Sequence, residues 1–161
     1  MTPTKKNTLH LIIKQFEFDS ILNGTKKQEY REINDATYKK YLDTWKNEEE
    51  LVIYFDKTKI SEEEYQKNPN NPMVYNNGLY PYIPIPYKFL DLAVGYNNDR
   101  DSMLVSIEDI HFETMKGKNG KDARFSDDGE RMRIDENGEF CIWQIVYTLC
   151  EIIKTDLLKE R

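Results

Sequence analysis

The segment Gly24 to Arg31 reads GTKKQEYR and brings an ammonium, a carboxylate and a guanidinium into one short stretch. Lys26 can meet a phosphate or serve in proton transfer. Glu29 can accept a base amino group or hold a neighbouring arginine. Arg31 presents a planar fork of donors that suits a phosphate or a base edge. If the stretch is extended, period two puts Lys27, Glu29 and Arg31 on one side and Gln28 and Tyr30 on the other. Three charges on one strand face will not sit unpaired in hydrocarbon, so that face lies in a polar groove or in open solvent. Glu29 and Arg31 would then stand about 7 Å apart at Cα. A surface ion pair, worth roughly 0–1 kcal/mol, is the structural alternative. Lys26 and the turn at Gly24 favour the ligand role. Tyr96 and Arg100 form a second group. The tyrosine can stack on a base and the arginine can meet a phosphate. A turn tyrosine and a solvated arginine explain the same residues equally well.

The elements that must position these residues can be read from the flanking sequence. Leu9, Leu11 and Ile13 alternate with His10, Ile12 and Lys14, which predicts a strand over 9–14. Phe18, Ile21 and Leu22 are spaced as on one helical face, which predicts a helix over 16–23, with Asp19 early in it. Gly24 can take the left-handed conformation that closes a helix. A second strand follows over 27–33. Asn34 or Asp35 can cap a second helix reaching to Trp45, because Tyr38, Tyr41, Leu42 and Trp45 keep helical spacing. Further strands are predicted over 51–55, 87–94, 103–112 and 140–152, the last followed by a helical turn. Pro81, Pro84 and Pro86 cannot sit in a central strand. The segment 57–86 therefore reads as an insertion, and 113–138 as a polar loop with a small hairpin at its glycines.

Composition narrows the function classes. The chain has 161 residues, with 39% hydrophobic and 32% charged side chains and a net charge of -6. Its mean hydropathy is -0.79 and its pI about 5.1. An acidic chain argues against broad, non-specific nucleic-acid binding, which rests on many phosphate contacts. It leaves room for a local basic groove at Lys26, Lys27 and Arg31, whereas Lys39 and Lys40 read as solvated surface. No apolar stretch approaches the roughly 20 residues of a membrane span, and MTPTKKNT lacks the apolar segment of a secretory signal. Cys141 and Cys150 both fall in the predicted last strand. There they stand roughly 30 Å apart, too far for a disulfide, and free thiols suit a reducing cytoplasm. His10 and His111 lack Cys or Asp neighbours at ligand spacing. GKNGK lacks the spacing of a phosphate loop. The sequence calls for no metal and no cofactor.

Three blocks together resemble the ASCH domain, a PUA-like family. They are Gly24-x-Lys26-x-x-Glu29-x-Arg31 after a short helix, LAVGYNNDRDSMLVSIEDI with Gly95, Tyr96 and Arg100, and the closing IWQIVYTLCEII. The resemblance implies an α+β fold, a PUA-like small β-barrel with two N-terminal helices covering one opening. It also implies a single domain over 1–161, with the insertion at 57–86 and the polar loop at 113–138. Such domains are linked to RNA. Some members hydrolyse modified cytidines with a lysine after the helix, a threonine on the next strand and a distant glutamate. Lys26 matches that lysine, while Glu29 stands at the threonine position, so the nucleophile is missing.

Three functions follow as expectations. The first is a cytoplasmic binding module for RNA or a nucleotide, using Lys26, Glu29, Arg31, Tyr96 and Arg100. The second is a hydrolase of modified nucleosides or RNA, with Lys26 and Glu29 as its catalytic pair. The third is an interaction protein of phage or mobile-element origin, without nucleic acid, docking a protein through Tyr75–Tyr87.

Overall fold

The computed structural model describes residues 1–34, 36–42, 44–47, 50–55, 58–59, 84–127, 132–138 and 140–158. The insertion predicted over 57–86 lies largely outside them, as does most of Tyr75–Tyr87.

The first strand, β1 (Thr8–Ile13), leads into the helix α1 (Gln15–Leu22), and β2 (Gln28–Glu32) follows. The short helix α2 (Tyr38–Tyr41) and the strands β3 (Thr44–Asn47), β4 (Glu50–Phe55) and β5 (Thr58–Lys59) come next. The chain continues through β6 (Phe89–Val94) and the long β7 (Ser102–Thr114). It then forms β8 (Arg124–Asp127), β9 (Met132–Ile134), β10 (Phe140–Cys141) and β11 (Trp143–Asp156).

The main sheet has five strands in the order β1-β6-β7-β11-β2. β1 runs parallel to β6, and β6 antiparallel to β7. The expected closed barrel with two helices over one opening is therefore wrong. The sheet is open and mixed, with β1 and β2 at its two ends. α1 carries the chain from one edge strand to the other, so these two strands, consecutive in sequence, do not close on each other. Of the two helices, α1 has eight residues and α2 only four.

The second helix starts later than expected for a local reason. Asn34 Oδ1 accepts from the Ala36 amide, and Thr37 Oγ1 donates to the Glu32 carbonyl, so side chains compete with helical bonding there. Leu42 is already extended, and Trp45 lies in β3 opposite Val52 rather than on a helix. The terminal segment also departs from expectation. β11 stays extended to Asp156, past the start of the expected helical turn, whose last residues, 159–161, lie outside the described residues; Ile142 separates β11 from β10, which takes Cys141 out of the last strand.

The chain forms two compact units. The first comprises Met1–Glu29, Pro86–Ile110 and Val146–Arg161, and the second Tyr30–Ile85 and His111–Ile145. In the first, register places Leu9 beside Leu90, Leu11 beside Leu92, Leu92 beside Met103 and Leu90 beside Val105. These side chains share one sheet face and are buried, as are Phe18 and Ile21 of α1. The alternation in β1 and the helical spacing in α1 thus serve one core. In the second unit, β10-β8-β9 and β3-β4-β5 form two three-stranded sheets. The polar loop predicted over 113–138 holds the β8–β9 hairpin. Phe125 and Ile142 form its buried cluster, with Met115 and Ala123 against it.

Candidate functional site

The site begins at the C-terminal end of α1. The Asn23 amide bonds to the Asp19 carbonyl (3.0 Å) and the Gly24 amide to the Ile21 carbonyl (3.1 Å). Gly24 has φ +86°, the left-handed value anticipated from its position. The amides of Thr25 and Lys26 then both donate to the Ser20 carbonyl at 2.9 Å. Thr25 Oγ1 donates to Asn23 Oδ1 (2.7 Å) and to the Ser20 carbonyl (3.2 Å). The turn is thus fully bonded, and it fixes Lys26 beside the negative end of the helix dipole.

Lys26 Nζ lies 3.2 Å from Glu17 Oε2 and 3.6 Å from Glu29 Oε2. The two carboxylates differ in environment. The Glu29 side chain is 4% exposed and the Glu17 side chain 41%. An exposed pair of this kind contributes roughly 0–1 kcal/mol. A buried carboxylate depends on its compensating partners far more, because its desolvation is not refunded by water. Lys26 is therefore a structural counter-ion to Glu29 and a loosely held partner of Glu17.

Beside this cluster is a cleft of about 490 Å³, lined by Ile21, Leu22, Asn23, Gly24, Lys26, Lys27, Val105, Glu108, Leu149, Cys150, Glu151 and Ile152. It lies wholly within the first unit. β2 borders β11 there: Gln28 Nε2 donates to Thr148 Oγ1 (3.2 Å) and the Leu149 amide to the Lys27 carbonyl (2.8 Å). The Lys26 amide then turns to Ser20, and the cleft occupies the space where that pairing ends. Its walls are aliphatic, and two lysines and two glutamates stand among them.

The predicted residues do not all gather here. Lys26 and Glu29 come together, and Lys26 lines the cleft. Lys27 also lines it, but from outside β2. Arg31 is partly buried and belongs to the second unit. Tyr96 and Arg100 sit on the turn between β6 and β7 and are absent from the cleft lining. Arg100 Nη1 donates to the Gly95 carbonyl at 2.6 Å, so the guanidinium closes its own turn. Tyr96 is 87% exposed.

Sequence reading missed Glu17. No local pattern marked it, because its pairing with Lys26 depends on the turn at Gly24 that brings the chain back against α1. Asp19, expected early in the helix, is its fifth residue, and the acidic residue of the first turn is Glu17. Reading also missed Asp101, which is 2% exposed. One of its oxygens accepts from Gln15 Nε2 (3.0 Å) and the other from the Leu158 amide (2.8 Å), so it ties the start of α1 to the chain beyond β11.

The remaining reactive side chains are engaged elsewhere. His10 Nδ1 pairs with Asp91 (2.7 Å), and His111 Nε2 with Glu113 (2.6 Å). Among the described residues, no group of three or more His, Cys, Asp or Glu is placed to share a metal ion. Cys141 is buried, Cys150 is exposed, and both are free thiols. Asp122 accepts from Lys116 and from Thr114 Oγ1 (2.8 Å). The Lys116 hydrogen bond first, then that of Thr114, holds its carboxyl below the usual range. Burial raises the Tyr87 phenol. No described helix is long and apolar enough to cross a membrane.

Comparison with family models, with curated proteins and with solved structures found no match to this chain.

Proposed function

We propose that this protein is a binding module for a nucleotide or for bases of RNA, held in the cleft beside the end of α1. The observation that carries the reading is the composition of that cleft. The aliphatic side chains of Leu22 and Ile152 offer a surface for a base. Lys26 and Lys27 stand at the same opening, where they can meet a phosphate or ribose. Glu108 and Glu151 can accept from base amino groups. The likeness of the Gly24–Arg31 block to ASCH domains points the same way. The free thiols fit a cytoplasmic setting.

Hydrolysis of modified nucleosides or RNA ranks second. Both ion-pair partners of Lys26 are carboxylates, and the Thr25 hydroxyl is turned to Ser20 and Asn23. A catalytic lysine needs an adjacent nucleophile, or must itself be one.

The test is titration with the four nucleoside 5′-monophosphates and with fluorescein-labelled single-stranded RNA. Lys27→Ala should weaken binding by about five- to ten-fold, the loss of one phosphate contact of about 1–1.4 kcal/mol, while the melting temperature stays near wild type. Arg31→Ala and Tyr96→Ala, run beside it, report whether a longer RNA reaches beyond the cleft. Absence of binding, or binding indifferent to Lys27, would overturn the reading.

A further inference from the structure

The pairing of Lys26 suggests how this site sets its own affinity. One ammonium serves two carboxylates, Glu17 at 3.2 Å and Glu29 at 3.6 Å. Glu29 comes from β2 and is buried, so its claim on Lys26 is part of the folded state. Glu17 comes from α1 and is far more exposed, so water can replace Lys26 at little cost. Among the described residues, Glu17 forms its ion pair with Lys26. Its oxygen takes up one side of the ammonium, a side that an incoming anionic oxygen could otherwise use. The Lys26 side chain is 21% exposed with Glu17 in place.

We propose that Glu17 is a built-in competitor for Lys26, a carboxylate that a ligand phosphate must displace. This rests on the nucleotide reading above and adds the regulation of that same site. Glu17 lowers affinity for phosphate-bearing ligands and leaves the aliphatic part of the cleft untouched, since it is not among the lining residues. The competition is electrostatic, so it discriminates between ligands by charge. A nucleoside without phosphate does not need Lys26 released, whereas its monophosphate does. Lys26 is kept near its working position by Glu29 in either state.

The experiment measures AMP and adenosine binding to wild type and to Glu17→Gln by calorimetry at fixed salt. The amide keeps the size of Glu17 and removes its charge. The ratio of AMP to adenosine affinity should rise by about two- to five-fold in Glu17→Gln, the range expected of an exposed ion pair. The dependence of AMP affinity on salt should steepen. An unchanged or lowered ratio would overturn the proposal, because Glu17 would then be a bystander or would hold Lys26 ready for the ligand. Repeating the measurement with Glu17→Ala guards against a contact made by the new amide, and the same rise is expected. If neither AMP nor adenosine binds wild type or variant at millimolar concentration, the nucleotide reading itself falls, a result distinct from binding with an unaltered ratio.

Discussion

At the residue scale, the chemistry of this protein turns on which candidate charges already have a partner. Lys26 is divided between Glu17 and Glu29, Arg100 is bound to its own turn, and His10 and His111 each face a carboxylate. A charged residue in a sequence advertises reactivity, but at these positions the folded chain has already supplied a partner. Asp122 shows the consequence for stability. Lys116 and Thr114 stabilise its ionised form, so its folded pKa lies below the ordinary 3.8. The unfolded chain therefore binds that proton more readily. The stabilisation is fully present above pH 3.8 and fades as pH falls through the lower folded value. Asp122→Asn should lose stability relative to wild type at pH 6. The gap should narrow as denaturant melts are carried down from pH 4 to pH 2.5. A gap that stays constant over that range would mean that the carboxylate charge is not what matters.

At the scale of elements, one strand end and one hairpin illustrate how backbone geometry dictates residue choice. Gly24 lets the chain leave α1 at positive φ, so that the next amides return to Ser20 and Lys26 is delivered to the cleft. Gly138 is required for another reason. Its backbone lies against that of Phe125 in β8, and a Cβ at that position would overlap the Phe125 carbonyl and amide. Backbone atoms cannot step aside as a flexible side chain can. Gly138→Ala should therefore cost about 1–3 kcal/mol, the range for overpacking, and shift the melting midpoint downward. Lys118→Ala, on an exposed turn, should leave that midpoint unchanged. Equal midpoints for wild type and Gly138→Ala would refute the close approach.

At the scale of the whole molecule, the chain forms two compact units, and the first holds the cleft. Within that unit, the buried Asp101 joins the start of α1 to the end of β11 through Gln15 and the Leu158 amide. Asp101→Ala removes both links; Gln15 and Leu158 are exposed enough for water to meet their donors, so each lost bond costs about 0.5–1.5 kcal/mol. Amide exchange should report faster opening at Leu158 and in the first turn of α1 than in β6. Uniform acceleration throughout, or none, would show that Asp101 is not the tie.

Much of the local structure was legible in the sequence. Alternation marked β1, helical spacing marked α1, and the lone Gly24 marked its stop, because each depends on neighbours a few residues apart. The pairing of Lys26 with Glu29 was not read: period two set Glu29 with Lys27 and Arg31, and the Lys26 contact depends on the turn that precedes β2. The closed barrel was not correct, and the second helix was too long, because both depended on which partners the strands find. Whether β1 meets β2 depends on sheet order, to which no local pattern is sensitive. Trp45 kept helical spacing, but pairing with β4 overrode it.

The sequence by itself determined the periodicities, the left-handed stop at Gly24 and the concentration of charge that follows it. Those properties come from bond geometry and from the cost of burying ions, which act over short stretches of chain. Only the tertiary structure decided that the sheet stays open, that Glu17 shares Lys26, and that Val105, Glu108 and Leu149 to Ile152 wall the cleft. These residues are brought together from α1, β7 and β11, and the free energy that assembles them is the burial of a core common to all three.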